Sequence, residues 1–238
     1  GRSTRTKSFP PGRGAFRPRD RFFWSLVVCF VVAYVCWDSP LLQPLKWLTV
    51  LFHELSHAVV GWLTGGRLVS LNITDREAGI CRVAGGNRSL ILMAGYPGSL
   101  CWGLGAVWLS RRRRSLKPAL LALGIMLVAV TLLYTRPIIG FGFLFGLAAA
   151  ASFIALGWYG TLAAQRFAIL FIGVCSCIYV LVDIQEDVFN AGGGISDATL
   201  LAQHTGVPGW IWGGVWYVLS LAIIVVAVRM SQRQNTIR

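Results

Sequence analysis

The chain has 238 residues, of which 55% are hydrophobic and only 13% charged, and its mean hydropathy is positive. A soluble domain carries about a quarter of its residues as charged groups, so a water-soluble single-core protein is excluded, and so is a disordered chain. What remains is an all-α polytopic membrane protein. At about 20 apolar residues per spanning helix, the length holds about six or seven transmembrane helices.

The net charge of +13 is unevenly placed. Seven of the 22 basic residues fall within the first 21 positions, four more form the run Arg111–Arg114, and Lys117 follows. Beside apolar spans such clusters are topology or lipid-headgroup signals, so the expected partner is the lipid bilayer and not nucleic acid. Residues 1–21, basic and holding Pro10, Pro11 and Pro18, read as a disordered tail. Residues 22–230 read as a single membrane-embedded domain, and 231–238 as a polar C-terminal tail. Of the six cysteines, five sit in apolar stretches, where cysteine acts as a small hydrophobe. No disulfide framework is expected.

In chain order, apolar runs at 22–37 and 41–64 read as the first two spans. Residues 65–88 break the pattern. Val69, Leu71 and Ile73 alternate with Ser70, Asn72 and Thr74, a turn follows at Asp75–Gly79, and Ile80–Val83 resumes. This predicts a β-hairpin, which at membrane depth must be packed in protein or line a wet cavity. Further spans are predicted at 89–109, 119–134, 137–158, 167–182 and 210–228. Trp24, Trp37, Trp108, Trp210 and Trp212 fall near span ends, as interfacial aromatics do. Between the last two spans lies a polar stretch, 183–209, with Asp183, Glu186, Asp187, Asp197 and His204. With seven spans, the basic tail and the Arg111–Arg114 run fall on opposite sides of the membrane, so the positive-inside rule does not choose an orientation.

The chemistry lies at residues 53–57, His-Glu-Leu-Ser-His. On a helix, positions i and i+4 share a face, so His53 and His57 can hold one metal ion between them, with Glu54 placed to act on a water beside it. Zn2+ in such a site would acidify that water and polarise a peptide carbonyl, and Glu54 would serve as general base. The bland alternative is two core histidines on one helical turn. It must also leave a Glu in an apolar span, at a cost of a few kcal/mol. Counted from Leu41 at about 1.5 Å per residue, the motif lies about 18–24 Å along the helix, inside the bilayer.

A two-His, one-Glu helix followed by a Gly-bracketed hairpin resembles the site-2-protease superfamily of intramembrane zinc metallopeptidases (peptidase family M50), and within it the M50B-like branch. The matching residues are Phe52–Ala58, Leu63–Gly66, the hairpin, Ala94–Ser99 and Ser196–Pro208. The resemblance covers about 41–220. It implies zinc-dependent hydrolysis of membrane-anchored proteins and a third zinc ligand, usually an Asp on a later helix. Asp197, in the Ser-Asp-Ala sequence that the branch resembles, is the first choice. Asp183 and Asp187, an i, i+4 pair at a span end, are alternatives, and His204 is an outsider. Ser196-Asp197 also reads as an ordinary helix N-cap. The Asn-x-x-Pro-Asp-Gly pattern of larger members is absent. A bacterial plasma membrane follows from the resemblance alone. Two other functions fit the same residues: a metal-binding scaffold without activity, and an ion transporter lined by His53, His57 and the acids.

Overall fold

The structure, a computed structural model, describes residues 18–112, 114–186 and 196–233. The elements run α1 (Pro18–Val35), α2 (Gln43–Leu63), β1 (Arg67–Ile73), β2 (Gly79–Ala84), α3 (Arg88–Leu92), α4 (Gly95–Ser110), α5 (Lys117–Tyr134), α6 (Phe141–Tyr159), α7 (Leu162–Ile184), α8 (Asp197–Thr205) and α9 (Gly209–Arg233). The described residues are mostly helical, with one two-stranded antiparallel sheet among them. Of the expected residues, Asp187 and most of the two tails lie outside those described.

The central element is α2. Pro44 in its first turn needs no hydrogen-bond acceptor for its nitrogen, which suits it to a helix start. Between Leu48 and Ala58 almost every residue is buried, because α4, α7, α3 and both strands pack around it. Helix α2 is therefore sheathed in protein on most of its surface. This explains how it carries Lys46, His53, Glu54 and His57 through the middle of an apolar molecule.

Among the described residues, three helices are long and apolar enough to cross a membrane: α5, α6 and α7. The expected six or seven spans are not matched by that measure. Apolar stretches Phe22–Val35 in α1 and Gly209–Val225 in α9 are shorter. Polar residues of the metal motif interrupt α2. The predicted span 89–109 is split into α3 and α4 at Met93–Ala94, and α4 has only 16 residues.

The hairpin forms where expected, with Leu71 opposite Cys81 and Ile73 opposite Gly79. One detail differs. The pairing slips between Leu68 and Ser70, so Val69 is an extra residue in β1. A bulge shifts the alternation by one position. Leu71 and Ile73 face the core as predicted, but Leu68 turns inward in place of Val69, which is 54% exposed.

Contacts at the helix ends sort the loops into two sets. At one end, the Arg111 guanidinium lies 5.2 Å from the Phe22 ring centroid, joining the end of α4 to the start of α1. Arg166 at the start of α7 donates to the Ser110 carbonyl (2.8 Å), and Lys117 at the start of α5 sits over Trp158 at the end of α6. At the other end, Trp37 packs on Tyr179, and Trp47 packs on Phe141 and donates to the Asp75 carbonyl (3.1 Å) in the hairpin turn. Gln43 donates to Glu77 in that turn (2.7 Å), and Asn72 donates to the Arg136 carbonyl (3.1 Å). The basic run at 111–114 thus leaves the bundle at the same end as the start of α1, contrary to the expectation of opposite sides. The reason is the split of 89–109. After the hairpin the chain returns to His57 at α3 and to His53 at Gly95, and from there α4 runs beside α7 to the end at which α1 starts.

Gln165 holds the first end together. Its side-chain oxygen accepts from Leu116 N–H (3.1 Å), and its amide nitrogen donates to the carbonyls of Leu156 (3.2 Å) and Gly160 (3.1 Å). It is 3% exposed. Gln165→Leu keeps the volume but strands the Leu116 N–H and the Gly160 carbonyl, while the Leu156 carbonyl keeps its bond from Gly160 N–H (3.0 Å), at about 1–3 kcal/mol for each buried group left unpaired. A lower thermal unfolding midpoint in detergent is expected. A midpoint equal to wild type would show that the clamp contributes nothing.

Candidate metal centre

His53 and His57 lie one turn apart on α2, with ring centroids 4.9 Å apart. Ligand-capable atoms of His53, Glu54 and His57 all lie within 4.8 Å of one another. The two histidines share one face of α2 as the motif spacing expects, Glu54 stands beside them, and the group is largely buried.

A fourth group joins it from far along the chain. Asp197 Oδ2 lies 2.9 Å from His53 Nε2 and 3.0 Å from His57 Nε2. Asp197 is the first residue of α8, but it does not cap the helix. Ser196 does, accepting from Thr199 N–H (3.3 Å), while the Thr199 hydroxyl accepts from Ser196 N–H (2.8 Å). This reciprocal pair satisfies the helix start and leaves the Asp197 carboxylate to face the imidazoles. Helix α8 is held there by Ala198 and Leu201, both fully buried among Tyr96, Val180, Ile184 and Trp216. Asp183 lies in the last turn of α7. His204 lies on the last turn of α8, exposed.

The hydrogen-bond roles around His57 are constrained. Its Nδ1 lies 2.6 Å from the Ile91 carbonyl oxygen. A carbonyl only accepts, so Nδ1 carries the hydrogen, and in the neutral ring Nε2 presents a lone pair. That lone pair faces Asp197 Oδ2, which is also an acceptor when ionised. Two acceptors at 3.0 Å need a positive centre between them, either a second ring proton or a cation. Two imidazole nitrogens and one carboxylate oxygen converging on one point form a donor set that suits a zinc-like divalent ion. A carbonyl behind a ligand imidazole is the usual means of fixing tautomer and ring orientation.

The Ile91 carbonyl is free for this role because α3 ends so early. Asn87 caps α3, accepting from Leu90 N–H (3.1 Å), and the helix stops at Leu92. In a continuous helix the Ile91 carbonyl would be bound by residue 95. Here its partners besides His57 are the turn N–H groups of Met93 and Ala94 (3.1 Å from Ala94). No sequence signal pointed to this carbonyl.

Glu54 faces the hairpin. The backbone of Cys81 lies beside its carboxylate, and a Cβ placed on Gly79 would overlap its side chain. A Cβ on Gly95 would likewise collide with the His53 imidazole and the Asp197 carboxylate. The small-residue pattern in α4 therefore divides. Gly95, Gly98 and Gly103 are close approaches, whereas Gly105 faces open space. Gly95→Ala is expected to push His53 and Asp197 apart and lower the divalent metal retained on purification, read by elemental analysis. Gly105→Ala should retain the wild-type amount. Equal metal in both variants would show that the approach at Gly95 is unimportant for the centre.

A family model described as Peptidase M50B-like matches residues 26–227. Comparison with curated proteins and with solved structures found no match. The matched stretch takes in the histidine pair, the hairpin, the break before α4 and Asp197. With most of its length covered, the chain belongs to the Peptidase M50B-like family.

Proposed function

We propose that this chain is a zinc-dependent endopeptidase that cuts membrane-anchored proteins within the bilayer or beside it. The observation that carries this reading is the convergence of His53, His57 and Asp197 on one point, with Glu54 on the adjacent position of the same helix. Family membership supports a membrane peptidase.

In this reading His53, His57 and Asp197 hold the metal. When bound, zinc supplies Lewis-acid polarisation of the scissile carbonyl and lowers the pKa of a coordinated water. Glu54 takes the proton from the attacking water and later delivers it to the departing amine. Its position depends on the hairpin, since the Cys81 backbone lies beside the carboxylate and Gly79 makes room for it. The Ile91 carbonyl keeps the His57 ring turned toward the site. Burial of Glu54 and His57 excludes bulk water, which strengthens each of these electrostatic contacts. A substrate segment must be locally extended to bring a peptide bond to Glu54, because a helix keeps its backbone groups paired with one another.

Three substitutions test the scheme with a membrane-anchored reporter and a metal assay. Glu54→Gln should keep the metal and lower cleavage by roughly 10²–10⁴-fold, the usual contribution of general acid–base catalysis. His53→Ala should lose both metal and cleavage. Gly79→Ala should keep the metal and slow cleavage, because the added methyl displaces Glu54 and leaves the histidines alone. Wild-type cleavage by Glu54→Gln would defeat the peptidase reading. A wild-type chain that binds zinc but cuts no reporter would favour the inactive scaffold.

A further inference from the structure

We infer that the end of the molecule formed by the start of α1, the α4–α5 loop and the α6–α7 loop faces the cytoplasm and sits among the anionic headgroups of the inner leaflet. This inference is independent of the peptidase reading and concerns only how the chain lies in its membrane.

Three contacts draw the helix ends together. Arg111 over Phe22 joins the start of α1 to the end of α4. The Arg166 bond to the Ser110 carbonyl adds the start of α7. Lys117 over Trp158 adds the start of α5 and the end of α6. Five helix ends therefore meet at one face. The residues there are overwhelmingly basic: Arg111, Arg112, Arg114, Lys117 and Arg166 are all partly or fully exposed, the first turn of α1 carries Arg19 and Arg21 against one acid, Asp20, and the sequence before α1 adds five more basic residues and no acid. Aromatic side chains accompany the charges. Arg112 lies 4.9 Å from the Trp108 ring centroid, and Trp108 and Trp158 are each 58% exposed. Cations with flanking tryptophan match the chemistry of a phospholipid headgroup layer.

The opposite end has a different character. The α1–α2 connection, the hairpin turn and the α5–α6 loop meet there through the bonds of Gln43, Trp47 and Asn72. Its charges are balanced: Lys46, Arg76 and Arg136 stand against Asp38, Asp75 and Glu77, and Lys46 is paired with Glu77 at 3.6 Å. Loops rich in Lys and Arg remain on the cytoplasmic side. The run that begins at Arg111, expected across the membrane from the start of α1 when seven full spans are assumed, lies at the same end as that start. The hairpin turn and the start of α2 then face the outside.

The test is side-specific labelling of the full chain in the membrane of an expressing bacterium, with an impermeant maleimide and the parent chain as background for its native cysteines. Arg76→Cys should label in intact spheroplasts, and Ser115→Cys only after lysis. A second pair at loop positions, Ile139→Cys (87% exposed) and Tyr159→Cys (89% exposed), should behave in the same way and replaces the first if either variant fails to reach the membrane. Labelling of Ser115→Cys or Tyr159→Cys in intact spheroplasts, with Arg76→Cys or Ile139→Cys protected, would overturn the orientation. Labelling of both members of a pair from one side would overturn the assignment of the loops to opposite ends.

Discussion

The arrangement of this protein depends on one ring, the imidazole of His57. Its Nδ1–H is committed to the Ile91 carbonyl, so its other nitrogen must face the Asp197 carboxylate as an acceptor. In a low-dielectric interior such a contact is unfavourable without a positive charge between the partners. Several other features serve the same point. Helix α3 stops after five residues and leaves a carbonyl available, Ser196 takes the capping role from Asp197, and Gly95 lets α4 come against His53.

That requirement also accounts for the path of the chain. A polar centre in the middle of an apolar bundle has to be enclosed by protein, because lipid offers no hydrogen bonds. Helix α2 carries the histidines and is covered on several sides, and the hairpin is the cover nearest Glu54. The hairpin turn is bound to the first turns of α2 through Gln43, Lys46 and Trp47. Strand β1 is packed beside α5 and α6. Its backbone thus lies against protein while its β2 partner brings Gly79 and Cys81 to the carboxylate. The return of the chain through the hairpin and α3, followed by the run of α4, brings Arg111 to the end at which α1 starts.

The sequence alone determined the elements whose pattern is local. The amphipathic alternation and Gly brackets specify a hairpin over 65–88, and strands form at 67–73 and 79–84. The i, i+4 spacing of His53 and His57 on a helix is itself a geometric statement, since 3.6 residues per turn place both on one face. The long apolar runs mark α5, α6 and α7. Family membership was likewise legible from Phe52–Ala58 and the later Ser-Asp-Ala sequence.

Only the tertiary structure decided features that depend on residues far apart. Hydropathy could not reveal the break at Met93–Ala94, because both halves of 89–109 are equally apolar and the interruption serves a carbonyl that must reach His57, 34 residues away in sequence. The slip at Val69 was invisible for a similar reason: alternation predicts a face, but one inserted residue exchanges Val69 for Leu68. Among the acidic residues near the end of α7 and the start of α8, sequence spacing ranked candidates, while proximity to the two imidazoles is a matter of how α8 docks, 144 residues from His53. Local patterns are written in the spacing of neighbours. Which distant groups meet is set by packing, and packing has no period to read.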